Sequence, residues 1–401
     1  MQRTLGFARH LPNCGWNPIL LVPSLQAYAS IDDRQNDLIP PSARIYRSIC
    51  LDAARHLSVL GRYPGILARP DRWTSWIPSA VFQGLRVIRR HKPQVIWSTY
   101  PIATSHIIAS ILARLTGIPW IADFRDPMVE RDPKTGREFP FDRRLRNARL
   151  RVESTCVNHA SALVFCTEWA RNICIDRYEH ISRDTCHVIS NGYEEEHFNN
   201  TSFQDDSLHP KEPLRRKLLH SGTIYPTPDR DPTHFFDAVA TLKGKGQINS
   251  EGIEITLRAT GHDEKMRELI EERNIQDLVR IEPPITYLEA LEEMMLADGL
   301  LVFQGYTSNP AIPAKVYEYL RARRPIFALV DAEGSTAQLL RNLGIESTAP
   351  MEDASLIEQS LMRFLESIEK ESYPELSDVQ IESFSRSSLT REFARICNTL
   401  G

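Results

Sequence analysis

The sequence lacks any long hydrophobic run, and this limits the classes of protein that it can encode. Its longest apolar segments, such as 107–112 and 299–303, are far shorter than the roughly 20 residues that a membrane-spanning helix requires. The first residues also lack the apolar core of a secretory signal and lead directly into an amphipathic pattern. We therefore expect a cytoplasmic protein that does not span a membrane.

Cysteine pairs with the spacing of a metal or redox site are also missing. The sequence has seven cysteines, none of them in a C-x-x-C pair, and most lie in apolar segments. This pattern suggests neither a zinc site nor a disulfide framework. Free thiols of this kind fit a reducing cytosol.

Lysine is scarce in the first half of the chain, although that half is basic. Residues 1–200 contain 26 lysines and arginines against 19 acidic residues, and only Lys92 and Lys134 are lysines; residues 201–401 contain 22 against 33. The arginines concentrate in two clusters, 86–90 and 143–151. Such clusters hold phosphates or lie on anionic membranes, and the same pattern also describes a solvated helix face.

What the sequence does contain is a regular alternation of strands and helices, which occurs twice. Short β-branched runs alternate with helical patterns up to residue 193, a polar and proline-containing segment covers 194–215, and the alternation then resumes. This spacing is typical of β-α-β units with parallel sheets. We predict an α/β protein with an N-terminal domain at 1–193, a linker at 194–215, and a C-terminal domain at 216–380. A last helix within 381–401 is expected to pack back on the first domain.

Charged residues follow a buried strand in the first half. The run 118–124 is apolar apart from Asp123, and Arg125 and Asp126 come directly after it. In open α/β sheets, ligands bind at the carboxyl ends of the strands. The alternative is that these residues merely pair with one another and cap the next segment.

The second half contains two candidate binding segments. In the first, a strand runs into Gly222 and Thr223, and Arg230 follows in a proline-rich loop; glycine allows close backbone approach and arginine offers bidentate contacts to phosphate. The second is the segment 309–320, in which Pro310 and Pro313 predict a helix N-terminus that attracts anions. Lys315 and Glu318 are three residues apart on that helix and share a face, so they could address one nucleotide or form a surface salt bridge.

Several of these segments, taken in order, resemble a known family. The runs "GTIY", "PAKVYEYLRARRPIFAL" and "SNGYEEEHF" look like the second domain and hinge of bacterial family-four glycosyltransferases, and "RLTGIPWIADFRDPM" is similar to the first domain of a polysaccharide-assembly subgroup. The resemblance covers nearly the whole chain. It implies the GT-B fold, two facing Rossmann-like domains with a cleft between them. It also implies transfer of a sugar from a nucleotide-sugar donor, without a metal or other cofactor.

The resemblance assigns roles to the second-half residues. Gly222 and Thr223 would form the turn near the diphosphate, and Arg230 and Lys315 would neutralise the departing nucleoside diphosphate. Glu318 would bind the ribose hydroxyls. Preorganised cations of this kind stabilise charge on a leaving group, so the resemblance makes Arg230 and Lys315 catalytic.

On the first-domain side, the resemblance places Asp123, Arg125 and Asp126 beside the acceptor and the reacting sugar, with Arg125 and Asp126 as catalytic candidates. His106 is a further acceptor-side candidate, and the alternative for it is a position on a helix face. The chain departs from the family in three places. Pro310 stands where a first glutamate is common, and Arg125 stands where many relatives have a histidine. The chain also opens on a helix at 1–13, so the sheet is expected to lack the family's first strand unless the start lies further upstream.

The function that the resemblance implies is glycosyl transfer in surface polysaccharide synthesis. The acceptor would be a glycan or a lipid-linked sugar, the anomeric configuration would be retained, and no nucleic acid would be involved. The arginine clusters suggest peripheral contact with an anionic membrane. Two alternatives remain open: a nucleotide-sugar epimerase on the same fold, and a catalytically impaired binding or scaffold protein.

Overall fold

The chain forms two compact units, each an α/β structure with parallel sheets. The computed structural model describes residues 2–29, 39–40, 43–58, 62–132, 134–199, 215–225, 227 and 229–401. Unit 1 comprises Met1–Ser190 together with Arg386–Gly401, and unit 2 comprises Asn191–Ser385. The predicted α/β class is confirmed. No helix among these residues is long and apolar enough to cross a membrane.

The strands of unit 1 form one four-stranded parallel sheet and two smaller pairs. They are β1 Ile19–Pro23, β2 Arg44–Ser48, β3 Ile96–Thr99, β4 Trp120–Phe124, β5 Glu130–Arg131, β6 Glu138–Phe139, β7 Ala162–Phe165 and β8 Cys186–Val188. The main sheet has the order β3-β4-β7-β8, and β1 with β2 makes a separate parallel pair. β5 and β6 form a short antiparallel hairpin. The central strands β4 and β7 are buried along their whole length, as their apolar sequences predict.

The helices of unit 1 come from both ends of the chain. They are α1 Gln2–His10, α2 Ala53–His56, α3 Trp76–His91, α4 Ala103–Thr116, α5 Arg143–His159, α6 Glu168–Arg177 and α15 Arg386–Leu400. The predicted opening helix is therefore confirmed as α1. Its Phe7 ring stacks on Phe393 of α15 at 4.6 Å and meets Trp97 of β3 edge-on at 5.3 Å. Burial of each such ring contributes about 1.5–3 kcal/mol, so the last helix is part of the first unit's core.

Unit 2 is a six-stranded parallel sheet covered by helices. Its strands are β9 Arg216–Ser221, β10 Ile253–Arg258, β11 Val279–Glu282, β12 Gly299–Gln304, β13 Ile326–Val330 and β14 Thr348–Ala349. Its helices are α7 Glu195–Asn199, α8 Thr233–Gly244, α9 Asp263–Glu272, α10 Tyr287–Leu296, α11 Ala314–Ala322, α12 Ser335–Asn342, α13 Ala354–Glu369 and α14 Asp378–Ser383. The strand order is β11-β10-β9-β12-β13-β14. This order, 3-2-1-4-5-6 in chain sequence, is that of the Rossmann fold.

Two apolar clusters cover the opposite faces of the unit 2 sheet. Phe235, Phe303 and Phe364 belong to one cluster, and Tyr317 and Tyr319 belong to the other. Gly299 at the start of β12 has a structural reason: a Cβ there would lie 2.8 Å from Leu218 and 2.9 Å from Phe364. Such distances are too short for real contacts, so glycine permits α13 to pack closely on the sheet.

The structure divides the chain differently from the sequence prediction at the linker. Within the predicted linker 194–215, Glu195–Asn199 is helix α7 of unit 2, and residues 200–214 lie outside the described residues. Arg321 of α11 donates two hydrogen bonds to Glu195, and its guanidinium lies 5.0 Å from the Phe198 ring. These side-chain contacts attach α7 to the rest of unit 2, and no local sequence pattern predicts them.

Candidate active site

The topological switch point of unit 2 lies between β9 and β12, and the predicted donor residues gather near it. The chain leaves β9 through Gly222, which has φ +114°, a value that side chains rarely tolerate. A Cβ on Gly222 would lie 2.9 Å from the Nζ atom of Lys315. Glycine therefore serves two purposes here, because it permits the turn and leaves room for an ammonium group.

Lys315 extends from the first turn of α11 toward the end of β9. The helix begins after Pro313, as the sequence predicts, and the Lys315 Nζ lies 3.2 Å from His220 Nε2. Burial lowers the pKa of Lys315 to about 7, Arg230 acts in the same direction, and Glu318 opposes both. Without a ligand, Lys315 is therefore only partly protonated at neutral pH.

Arg230 is fixed by backbone and ring contacts rather than by a strong ion pair. Its Nη1 donates to the Thr223 carbonyl at 3.1 Å, and its guanidinium lies 5.2 Å from the Tyr225 ring. Its nearest carboxylate contact is Asp229, with an N–O distance of 3.5 Å. Thr307 binds that same carboxylate and connects the loop to the far side of the switch point. The second cation of the site is therefore held in place before any ligand arrives.

Glu318 lies one turn further along α11 than Lys315. Its Oε1 accepts a hydrogen bond from the Tyr287 hydroxyl at 2.7 Å. Tyr287 is the first residue of α10, whose start is fixed by a capping box between Thr286 and Glu289. Sequence reasoning missed Tyr287, because the pairing depends on packing between α10 and α11 and not on spacing in the chain.

Further hydrogen bonds hold the two strand ends that frame the switch point. The hydroxyl of Tyr319 accepts from the backbone N–H of Ser221 at 3.0 Å, which ties the end of β9 to α11. The buried Gln304 at the end of β12 donates to the carbonyls of Ser308 and Ala311. These groups shape the loop that leads into α11, and the sequence alone did not identify them.

Asp123 was expected beside the acceptor, and its environment contradicts this role. It is fully buried, and Arg3 donates to its two carboxylate oxygens at 3.0 Å each. Thr99 donates a third hydrogen bond at 2.9 Å, and Arg3 also reaches the Ser190 carbonyl at 2.8 Å. A carboxylate enclosed in this way cannot contact a substrate, so Asp123 instead holds α1 against the sheet.

His106 is also corrected from an acceptor-side residue to a core residue. Its ring is fully buried, and Nδ1 lies 2.7 Å from the hydroxyl of Ser98, which also accepts from the Trp120 indole. Burial lowers the pKa of His106 to about 3, so the ring is neutral at physiological pH. The ring lies near Trp120 and Phe124 of β4, so His106 is on the face of α4 that packs against the sheet.

Arg125 and Asp126 remain at the carboxyl end of β4, where the sequence placed them. Asp126 is exposed, yet the protein around it raises its pKa by displacing water, and Arg125 opposes that shift. Among the described residues, the buried Nε of Arg125 has no hydrogen-bond partner. Tyr100, directly after β3, belongs to the same group, because Asp126 and Arg149 both affect its pKa, which burial raises.

The first unit matches the model of a known family. Residues 2–192 match the family described as the glycosyl transferase 4-like domain. This match and the two Rossmann-like units define the class of the chain, a glycosyltransferase of the GT-B fold. Within the described residues, no three histidine, cysteine, aspartate or glutamate side chains are arranged to hold a metal ion.

Solved structures similar to this chain cover its full length. A glycosyltransferase from Rickettsia africae is 10% identical with a TM-score of 0.67, and the match covers 100% of this chain and 94% of that one. A sucrose-phosphate synthase from Thermosynechococcus elongatus is 14% identical with a TM-score of 0.65, covering 100% and 92%. Anabaena HepE in complex with UDP and glucose is 15% identical with a TM-score of 0.58, covering 100% and 92%. No curated protein sequence matches the chain.

Proposed function

We propose that unit 2 binds a nucleoside-diphosphate sugar at its switch point and that the chain transfers the sugar to a glycan or lipid-linked acceptor in surface polysaccharide synthesis. One observation carries the proposal: Lys315 and Arg230 lie beside the Gly222 turn, and Glu318 is one helical turn away. Two cations match a diphosphate, and the carboxylate matches the hydroxyls of a ribose. The similar HepE structure, which contains UDP and glucose, supports this assignment.

The chemistry follows from where negative charge develops. As the bond between the anomeric carbon and the diphosphate oxygen breaks, charge accumulates on the diphosphate. Arg230 and Lys315 would stabilise this charge without reorganisation. A bond then forms between the anomeric carbon and an acceptor oxygen, and the departing diphosphate takes the acceptor's proton. In this scheme the configuration is retained, and neither a metal nor a dedicated general base is used.

The proposed acceptor-side residues are Arg125 and Asp126, and we add Tyr100 and Arg149 to them. Tyr100, Arg125 and Asp126 directly follow β3 and β4. Arg149 of α5 and Asp126 both act on the pKa of Tyr100, and Arg125 acts on the pKa of Asp126. An exposed carboxylate with a raised pKa and a neighbouring arginine suit the binding of sugar hydroxyls. Arg125 replaces the family's usual histidine, so its role here is to bind or orient and not to transfer a proton.

Unit 1 also carries a surface suited to peripheral contact with an anionic membrane. Around the β5–β6 hairpin, apolar side chains are unusually exposed: Phe139 at 52%, Phe141 at 73% and Ile66 at 72%. Arg69 directly follows the turn Gly65–Ala68, which contains Ile66, and its guanidinium lies 3.7 Å from the Asp142 carboxylate. We call this set the hairpin surface, together with the exposed arginines beside it, which are Arg137, Arg143 and Arg144. Aromatic and arginine side chains together are typical of membrane-surface contacts.

A donor screen tests the main proposal and separates it from its alternatives. The chain is incubated with UDP-, GDP- and dTDP-sugars, and thermal shift, donor hydrolysis and conversion of the sugar are measured beside an Arg230→Ala variant. We expect one nucleotide class to stabilise the protein, and we expect hydrolysis or transfer that Arg230→Ala lowers by about 10². A converted sugar without acceptor would indicate an epimerase. Binding without turnover under any acceptor would indicate a scaffold protein, and no binding at all would refute the proposal.

A further inference from the structure

His220 is a buried polar residue next to the proposed donor site, and the chemistry described above does not use it. It lies in β9, two residues before Gly222, and only 1% of its surface is exposed. Its ring meets Phe303 edge-on with centroids 4.9 Å apart. Both ring nitrogens nevertheless have polar partners, Leu301 on one side and Lys315 on the other. A buried imidazole with two different partners requires a specific proton arrangement.

The partners of His220 fix its tautomer. Nδ1 lies 2.8 Å from the Leu301 carbonyl, which can only accept, so Nδ1 must carry a proton. Burial and then Lys315 lower the pKa of His220 well below its usual value, with Arg230 adding to this and the Leu301 and Gly222 carbonyls opposing it. The ring is therefore neutral, and a neutral imidazole has one proton. Nε2 is left with a lone pair, which faces the Nζ of Lys315 at 3.2 Å.

We propose that His220 is a positioning residue: its Nε2 accepts a hydrogen bond from Lys315 and aims the ammonium group at the diphosphate of a bound nucleotide. The inference rests on the proposed donor site. The ammonium has three donors, and one of them is committed to His220. Its other donors remain available beside the Gly222 turn, where the absence of a Cβ leaves space.

The alternative position for Lys315 shows why such an anchor matters. Lysine has four rotatable bonds, and Glu318 lies on the same helix face, three residues further on. Glu318 already attracts the ammonium electrostatically, while Arg230 repels it. Among the residues that the structure describes, Glu318 of α11, Arg230 of the loop after β9 and His220 of β9 are the charged and titratable groups that face Lys315. An ion pair between Lys315 and Glu318 would withdraw both residues from the nucleotide, and the His220 hydrogen bond works against it.

Three substitutions separate the two hydrogen bonds of His220. His220→Asn can still donate to Leu301 but offers no acceptor at the position of Nε2. His220→Gln places an amide oxygen near that position and serves as the matched control. His220→Phe keeps the edge contact with Phe303 and removes both hydrogen bonds. The fold of each variant is checked by circular dichroism and by its melting temperature.

The readout is the affinity for UDP, GDP or dTDP, whichever binds wild type most tightly, between pH 7 and 9. The terminal phosphate of these probes is ionised over this range. Because the bound diphosphate requires a charged Lys315, wild-type affinity should fall with rising pH, by up to tenfold per unit. Lys315→Met should bind weakly and show no such dependence. His220→Asn and His220→Phe should bind about tenfold more weakly, because the ammonium has lost an acceptor. Their decline in affinity with rising pH should also begin at a lower pH than in wild type. His220→Gln should resemble wild type.

The outcomes distinguish this inference from the proposed function. If no nucleoside diphosphate binds the wild-type chain, the proposed donor site itself is refuted. If Lys315→Met weakens binding but His220→Asn and His220→Phe keep the wild-type affinity and pH profile, only the role of His220 is overturned. If neither variant folds, the tautomer is measured in the wild-type protein by ¹⁵N NMR of its histidines, assigned with His220→Gln. A proton on Nε2 of His220 in the nucleotide-free protein would overturn the inference. An unprotonated Nε2 whose ¹⁵N chemical shift changes on nucleotide binding would support it.

Discussion

Lys315 is the residue at which stability and binding make opposite demands. In the nucleotide-free protein, burial and Arg230 lower its pKa to about 7, so holding it charged there costs free energy. A bound diphosphate reverses the balance, because it supplies the negative charge that the site lacks. Residues selected for such a task are commonly a local weakness of the unliganded fold. This has a direct consequence for the pH dependence of stability.

Lys315→Met is expected to stabilise the nucleotide-free protein, and more at low pH than at high pH. Between pH 7 and about 10.5, the unfolded chain binds a proton at this lysine that the folded chain does not, so stability rises with pH across that window. The cost of charging the buried lysine is therefore fully present below pH 7. Melting temperatures measured at pH 6 and pH 9.5 check this. Lys265→Met, which changes an exposed lysine, is the control and should move neither value.

Glu318→Ala is expected to weaken nucleoside-diphosphate binding by tenfold or more, because a charged hydrogen-bond acceptor for the ribose is lost. The loss should be specific to the sugar ring, so wild type should prefer a ribonucleotide over its 2′-deoxy form and the variant should not. Isothermal titration with both forms measures this. Tyr287→Phe, which removes only the hydroxyl that binds Glu318, should produce a smaller change in the same direction. Equal preference in wild type and Glu318→Ala would remove the ribose assignment.

At the scale of elements, α1 is held to the first sheet by a buried ion pair. Arg3 donates two hydrogen bonds to Asp123, and both side chains are almost completely buried. Such pairs add little net stability when compared with apolar replacements, but removal of one partner leaves a buried charge. The pair therefore matters more for where α1 lies than for how strongly it binds.

Arg3→Met should lower the free energy of unfolding by about 3–5 kcal/mol, because the buried Asp123 carboxylate loses its arginine partner. The double variant Arg3→Met with Asp123→Leu should recover much of that loss. Urea denaturation of wild type, single variant and double variant gives the three values. If the single and double variants are equally unstable, the ion pair is not the reason for the loss.

The sequence predicted elements better than it predicted contacts. Strand and helix periodicity identified the parallel units, and glycine and proline located the Gly222 turn and the start of α11. Periodicity could not reveal that Asp123 pairs with Arg3, which is 120 residues away. Periodicity also could not predict the hydrogen bonds of Tyr287 and His220, because each bond joins two elements whose packing is decided only by the fold. The site was therefore predicted as residue types at strand ends, and its supporting partners came from the structure.

At the scale of the whole molecule, charge is distributed unequally along the chain. Residues 1–200 carry an excess of basic residues, and residues 201–401 an excess of acidic ones. The hairpin surface, with its exposed phenylalanines and arginines, belongs to the basic part. An anionic membrane would therefore attract the excess basic residues of the first half and repel the excess acidic residues of the second.

Binding to vesicles that contain anionic lipid should weaken as salt rises toward 1 M, because the Debye length falls to about 3 Å. Phe139→Ser with Phe141→Ser should weaken it further at low salt, since the inserted apolar area is lost. Co-sedimentation with anionic and with zwitterionic vesicles measures both effects. Binding that is indifferent to salt would end the membrane proposal, and a double variant that binds as well as wild type would move the contact away from the hairpin.

The return of α15 to unit 1 has a consequence for how the chain matures during synthesis. Unit 2 is one continuous stretch, Asn191–Ser385, whereas unit 1 needs Arg386–Gly401 to cover Phe7 and Trp97. Residues 1–190 of unit 1 therefore leave the ribosome before unit 2 does, and the apolar surface that α15 covers stays exposed until residues 386–401 have emerged. A nascent chain stalled before residue 386 should accordingly recruit chaperones through the uncovered surface around Phe7 and Trp97.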